Sequence, residues 1–394
     1  MISTRRWFGA AAAVLLGATM LGSAPGGAQA APATDVTAAV QQKLLAEAAV
    51  AADQAFRTAG VADTRVNVTR RDGRNWAFGT AVLVAPQEEG QYPSGWVFVA
   101  RQQRGDWQVA FEGEATFAEL ASAAPASVVA APEKAAFTGF GTMSANGDYR
   151  TGMRLPFALD QSWILRGGPH GWSGSPRPFS SIDLYGGDER VLAVRAGTAY
   201  TMCKGWIRVI HDRGYATDYY HLWNNISVDG ASVSAGTFLG NTGTDITCGG
   251  SASSRHVHLG LRQNSAYVAW ATHNLGKWVP REGSTAYEGY ALHGSTRRNV
   301  GGTLYNYGAL GFTQGIVDGN GDTSVSRRSG PGTGYDIVGT IADGATATVS
   351  CSSTGTSRTG RWGTSTLWNK LSDGTWIPDA YMYTGSAKAL NGTC

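Results

Sequence analysis

Gly168-Pro169-His170-Gly171-Trp172-Ser173-Gly174, Ser180-Ser181-Ile182-Asp183-Leu184 and His256-Val257-His258 are the three stretches from which the rest of this chain can be read. In a strand successive side chains alternate faces, so residues i and i+2 of His256-Val257-His258 project together and both imidazoles can reach one metal. A catalytic zinc takes three protein ligands and leaves its fourth position to water, so a third group is needed. H-x-H alone also fits two ordinary strand histidines. The context adds to it: His170 lies in a Gly-rich turn, and Asp183 follows thirteen residues later, across one hairpin loop. Five of the seven histidines, His170, His211, His221, His256 and His258, fall within 89 residues.

This window resembles the beta-lytic and lysostaphin-type zinc endopeptidases, whose pattern is a His, then an Asp, a separate His after aromatic residues, and H-x-H. The resemblance spans about 160 residues, from Tyr149 to Tyr307, and the Gly168–Gly174 opening is closer to the beta-lytic branch. It implies that His170, Asp183 and His258 hold one zinc per chain. His256 and His221, the latter in Tyr219-Tyr220-His221-Leu222, are implied to be unligated catalytic histidines. Spacing alone does not tell His256 from His258, and how His221 and His256 divide their roles stays open. The implied fold is a mainly antiparallel β, lysostaphin-like sheet of the duplicated-hybrid-motif type. Cys203 and Cys248 flank the segment between Asp183 and His256 as a disulfide does in that branch. One departure is the stretch from Ala291 to Tyr307, which lacks a cysteine that some relatives carry, so the loops of the substrate groove are expected to differ.

The implied activity is hydrolysis of peptide cross-bridges in bacterial peptidoglycan, at Gly-Gly or D-Ala-Gly bonds. In the expected mechanism His221 or His256 takes a proton from the attacking water and returns it to the leaving amine. No G-x-S-x-G elbow or H-E-x-x-H is present to support another hydrolytic class. Two readings compete with this one: an extracellular protease for glycine-rich proteins, and an inactive regulator of wall hydrolases. The second is disfavoured because no ligand of the pattern is missing. His211, beside Asp212, matches no catalytic position and is read as structural, as are His273 and His293.

Arg5 and Arg6 precede an apolar stretch from Trp7 to about Leu21 and then Ala28-Gln29-Ala30, which reads as a signal peptide over 1–30. Secretion is therefore expected, by either the general or the twin-arginine route, with no membrane association once the signal is removed. Four cysteines without a C-x-x-C pair suit two disulfides in such a compartment. A formal charge of +3 and the lack of a basic run argue against nucleic acid as a partner. The expected partner is peptidoglycan, and the protein is expected to be a monomer.

The chain reads as multidomain. Val36 to Arg57 has helical composition, and Trp76–Ala85, Gly95–Arg101 and Trp107–Phe111 read as strands. Ala121 to Ala136 has the small-residue and Pro composition of an exposed linker. Residues 31–137 are therefore expected to be an inhibitory α+β propeptide. They carry 9 Lys/Arg against 12 Asp/Glu, whereas the chain from 138 carries 21 against 17, opposite balances that suit an inhibitor on its enzyme. The catalytic domain is expected over 138–309. Over 310–394, Val325-Ser326-Arg327-Arg328-Ser329-Gly330-Pro331, Tyr335-Asp336-Ile337-Val338-Gly339 and Trp362, Trp368 and Trp376 resemble a bacterial SH3-like wall-binding β-barrel. Ser326 and Arg327 depart from its usual Asn and apolar residue, which leaves its ligand contacts unassigned. The tryptophans serve either ligand or core, and Cys351 and Cys394 are expected to pair and tie down the chain end.

Overall fold

The computed structural model describes residues 35–51, 54–73, 75–138 and 148–394; the expected signal peptide lies outside them. The chain is mainly antiparallel β with few helices. The Ala- and Leu-rich stretch forms a helix over Val36–Val50, shorter than expected. Asp35 caps it by accepting from the Thr37 amide at 3.2 Å. The helix ends where Ala51 turns to extended backbone and Arg57 takes its carbonyl. Val36, Val40, Leu44 and Ala48 bury one stripe of the helix against a four-stranded sheet, Thr64–Asp72, Trp76–Leu83, Ser94–Gln103 and Asp106–Phe111, in sequential antiparallel order.

The stretch read as an exposed linker is instead structured. Ala115–Ala123 and Ala131–Thr138 are helices, and Val128, Val129 and Phe137 are fully buried. Alanine serves a helix as well as a linker, and the scattered Val and Phe find apolar partners that composition does not reveal. Phe137 stacks on Phe78, and the Glu133 carboxylate accepts from Arg70 and from the Tyr200 hydroxyl.

The large sheet runs, in spatial order, Asp229–Val233, Gly197–Cys203, Trp206–Ile210, Tyr215–Tyr220, Val257–Gln263, Ser181–Tyr185, Ser162–His170 and Thr303–Tyr305, with Ala266–Tyr267 pairing at one side. Alternation divides its residues. Leu184, Val209, Tyr219, Leu259 and Leu261 face one core with Trp163 and Trp270. Asp183, Tyr220, Asp218, Trp206 and Arg208 face the other way. That second face is not open to solvent: Phe78, Tyr92, Val97, Val99 and Phe117 of the N-terminal segment share a core with its Trp172, Tyr200, Trp206 and Tyr220.

The C-terminal region is a seven-stranded sheet from Gln314–Val317 to Met382–Tyr383 around Val317, Val349, Leu371, Ile377 and Met382. Trp368 and Trp376 are buried in it, so two of the three tryptophans are core and only Trp362 is partly exposed. Both disulfides are formed, Cys203–Cys248 and Cys351–Cys394. Closing 45 residues, the first contributes about 2–4 kcal/mol if chain entropy dominates. Among the described residues no helix is long and apolar enough to cross a membrane.

Trp163 is 1 % exposed and stacks on Phe157 at 4.7 Å between ring centres. Trp163→Ala is expected to cost about 3–5 kcal/mol in guanidinium unfolding of the full chain, the usual range for emptying an aromatic site.

Candidate metal centre

Strand register assembles the centre. Val257–Gln263 lies between Tyr215–Tyr220 and Ser181–Tyr185, and His258 is opposite Tyr220 on one side and Asp183 on the other. His170 ends the neighbouring strand, opposite Ser181. Sequence positions 88 and 75 residues apart are thereby brought into contact. Gly167 must be glycine, since a Cβ there would lie 2.5 Å from an Asp183 carboxylate oxygen.

Three polar atoms converge. His258 Nδ1 is 3.0 Å from Asp183 Oδ1 and 3.1 Å from His170 Nε2, and the third edge, His170 Nε2 to Asp183 Oδ1, is 3.5 Å. Ligands about 2.0–2.1 Å from a common tetrahedral centre stand roughly 3.3 Å apart, so the triangle has the size of one face of a zinc site. The tautomers agree with this. His170 Nδ1 lies 2.7 Å from the Gly168 carbonyl, which can only accept, so Nδ1 carries the hydrogen and Nε2 presents a lone pair. His170 Nε2 and Asp183 Oδ1 thus turn lone pairs toward one point, with His258 Nδ1 beside both, the donor set that a divalent cation takes.

His221 and His256 flank the triangle without joining it. Each gives its Nδ1 hydrogen to a carbonyl, His221 to Asp245 at 2.9 Å and His256 to Ser254 at 2.7 Å, which leaves both Nε2 atoms bare. His221 Nε2 is buried without a hydrogen-bond partner among the described residues, and His256 Nε2 is 3.7 Å from Asp183 Oδ1. The two rings are 4.8 Å apart. His221 has φ of +68°, a left-handed conformation uncommon outside glycine, Asn and Asp; it is held there by its carbonyl contact and by stacking on Tyr220.

Burial pushes the His170 imidazolium down to about 4 and His221 well below its ordinary value, so both are neutral near pH 7. Burial alone would raise the Asp183 carboxyl; the surrounding histidines, His170 foremost, outweigh it and hold the group well below the carboxylate range. An ionised carboxylate and neutral imidazoles are the forms a divalent cation binds.

Two tyrosines complete the surroundings, and neither carried a signal in the sequence. Tyr287 stacks on His170 at 3.9 Å, and Tyr92, from the N-terminal segment, stacks on His258 at 4.5 Å. Both are non-local contacts outside any motif. The cleft beside the site, about 410 Å³, is lined by Glu89, Tyr92, Arg166, Asp183, His256 and Tyr287. His211 is placed elsewhere, its Nδ1 on the Ala196 carbonyl and its Nε2 on the Thr217 hydroxyl, as a packing residue. His273 and His293 likewise sit on backbone carbonyls away from the centre.

The geometry can be set beside known proteins. The chain is 33 % identical over 127 residues to a beta-lytic metalloendopeptidase of Lysobacter enzymogenes, covering 71 % of that protein and 29 % of this chain. The chain belongs to the beta-lytic metalloendopeptidase family. Another relative is Protease LasA of Pseudomonas aeruginosa, 33 % identical over 147 residues; the match spans 35 % of LasA and 34 % of this chain. No family model matches. Among solved structures, the M23 metalloprotease pseudoalterin is 29 % identical and aligns over 39 % of this chain and 98 % of its own, with a TM-score of 0.37. The catalytic domain of lysostaphin from Staphylococcus simulans aligns at 19 % identity over 27 % of this chain and 82 % of its own, with a TM-score of 0.21.

For this family member, His170→Ala and Asp183→Ala are expected to lose stoichiometric metal after dialysis against zinc, read by elemental analysis per folded chain. His221→Ala and His256→Ala are expected to keep it. Full retention in both ligand variants would overturn the assignment.

Proposed function

We propose that the protein is a secreted zinc endopeptidase that hydrolyses peptide cross-bridges of bacterial peptidoglycan and is made as a zymogen. The observation that carries this reading is the His170–Asp183–His258 triangle with two bare histidine nitrogens beside it. Bound there, zinc would supply a Lewis acid for the scissile carbonyl and a lowered pKa for water. The chain's own residues do the rest. His221 and His256, both anchored through Nδ1, hold Nε2 ready to accept the proton of the attacking water and to donate it to the leaving amine. Once protonated, either imidazolium also stabilises developing negative charge on the carbonyl oxygen.

The substrate proposed is a bond next to glycine, Gly-Gly or D-Ala-Gly. Support comes from the resemblance of the His170, Asp183 and His256-Val257-His258 pattern to the beta-lytic and lysostaphin-type endopeptidases, which implies cleavage next to glycine.

The zymogen reading rests on what fills that groove. Ala85 donates to the Cys248 carbonyl at 3.0 Å, Gly250 to the Pro86 carbonyl at 2.9 Å, and Trp172 Nε1 to the Pro93 carbonyl at 2.8 Å. Between these contacts Tyr92 stands over His258. Residues 31–137 are the proposed propeptide, covering the site until the chain is cut just after the packed helix Ala131–Thr138. Residues 310–394 are proposed to bind the wall as an SH3-like module; the exposed Tyr335, Ile337 and Val338 at its edge offer apolar contact.

The test is release of new amino termini from purified peptidoglycan by full chain cut at that boundary, with one zinc bound. Activity is expected to vanish with 1,10-phenanthroline and return with zinc. Zinc bound without turnover on any wall would overturn the reading. Uncut chain is expected to be inactive, and Tyr92→Ala is expected to weaken the cover by about 2 kcal/mol, roughly 30-fold in the rate at which cut chain gains activity.

A further inference from the structure

The groove face of the large sheet continues beyond the metal centre to a second buried cluster, in which one carboxylate comes from the N-terminal segment. Arg208 is fully buried and holds Asp218 through two contacts, Nε to Oδ1 at 2.8 Å and Nη2 to Oδ2 at 3.0 Å. Trp206 Nε1, at 2.8 Å, and the Tyr267 hydroxyl, at 3.0 Å, donate to the same carboxylate. Asp218 is therefore saturated by its own sheet. What remains is the third nitrogen of Arg208 and Nη1 of Arg262, whose Nη2 is held by the Ser265 carbonyl, and both converge on Glu112 of the N-terminal segment. Arg262 Nη1 lies 3.0 Å from Glu112 Oε1, and Arg208 Nη1 bonds the same oxygen.

Two arginines and two carboxylates balance while Glu112 is present. Remove the segment that carries it and the cluster keeps one unpaired positive charge on a face then open to the groove, where another anion can pair with it. Arg262 Nε, also buried, has no hydrogen-bond partner among the described residues. Arg208 Nη1 further accepts a chain into register by donating to the Gly95 carbonyl at 2.9 Å. That carbonyl is three residues along from Tyr92, the residue over His258. The strand gives a similar measure: His258 and Arg262 share a face four residues apart, roughly 13 Å at about 3.3 Å per residue.

We propose that Arg208 and Arg262 form a carboxylate-binding subsite of the groove, which Glu112 fills in the uncut chain. In the cut enzyme it would receive an acidic group of the wall peptide three to four residues from the scissile bond. The proposal rests on the endopeptidase and propeptide readings above. It makes Arg262 a specificity-determining residue: a peptide with a free carboxylate at that distance pairs with it, and the amidated twin leaves it unsatisfied.

The test uses full chain cut just after the helix Ala131–Thr138, loaded with zinc, and two cross-bridged peptides that differ only in D-Glu against D-isoglutamine at that distance. Both kcat/KM and affinity by fluorescence anisotropy are measured. The carboxylate peptide is expected to be favoured roughly 10- to 100-fold, as for loss of a charge-assisted hydrogen bond. The preference is expected to fall to about one in Arg262→Gln, to return in part in Arg262→Lys, and to shrink with added salt in wild type. Equal kcat/KM for the two peptides in wild type would overturn the subsite and leave the endopeptidase standing. Discrimination in binding without hydrolysis of either peptide would leave the subsite standing and remove the endopeptidase.

Discussion

Three electron-rich atoms brought within 3.5 Å of one another, away from water, are the constraint on which this structure depends. Asp183 and His258 meet because they are opposite each other in one antiparallel pair, and His170 because its strand ends beside them. A one-residue slip of either strand would turn the carboxylate into the apolar core and the imidazole away from it. The apolar face of the same strands prevents that slip, with Ile182, Leu184, Val257, Leu259 and Leu261 all buried. The core thus sets the register, and the register makes the site.

The same alternation creates a second consequence. The face that carries the candidate metal centre is rich in aromatic residues and arginine, and in this structure it is covered. The N-terminal segment covers it by packing Phe78 and Val97 of its sheet and Phe117 of the helix Ala115–Ala123 onto Trp206, Tyr200 and Tyr220. It satisfies the buried cations with Glu112 while Arg70 reaches Asp229 in the opposite sense. Opposite net charges of the two regions of the chain point loosely in this direction. The complementarity that acts is local, because buried pairs are little screened and distant surface charges are.

The candidate metal-site residues stood out because their chemistry is scarce and their spacing follows strand geometry: His256-Val257-His258 projects two imidazoles to one face of a strand. The choice between those imidazoles came from family resemblance; in the structure His258 Nδ1 lies 3.0 Å from Asp183 Oδ1 and His256 Nε2 3.7 Å from it. The helix over Val36–Val50 was legible from composition and apolar spacing, and three of the four N-terminal strands from aromatic and β-branched content; Thr64–Asp72 was not read. Ala121 to Ala136 was not legible either. Its small residues and prolines carry the composition of a linker, and only Phe78, Tyr200 and Arg70, distant in sequence, supply the partners that make it two packed helices.

By itself the sequence determined the chemistry available to this protein: which side chains can hold a metal, which can move a proton, and that strands dominate, since these follow from residue type and local spacing. Only the tertiary structure decided what stands over the metal centre and what fills the groove. Tyr92, Tyr287, Glu112, Arg208 and Arg262 belong to no motif, and their roles arise from contacts between segments up to about 170 residues apart. Such contacts are set by the summed packing of two sheets, a property that no short stretch of the chain encodes.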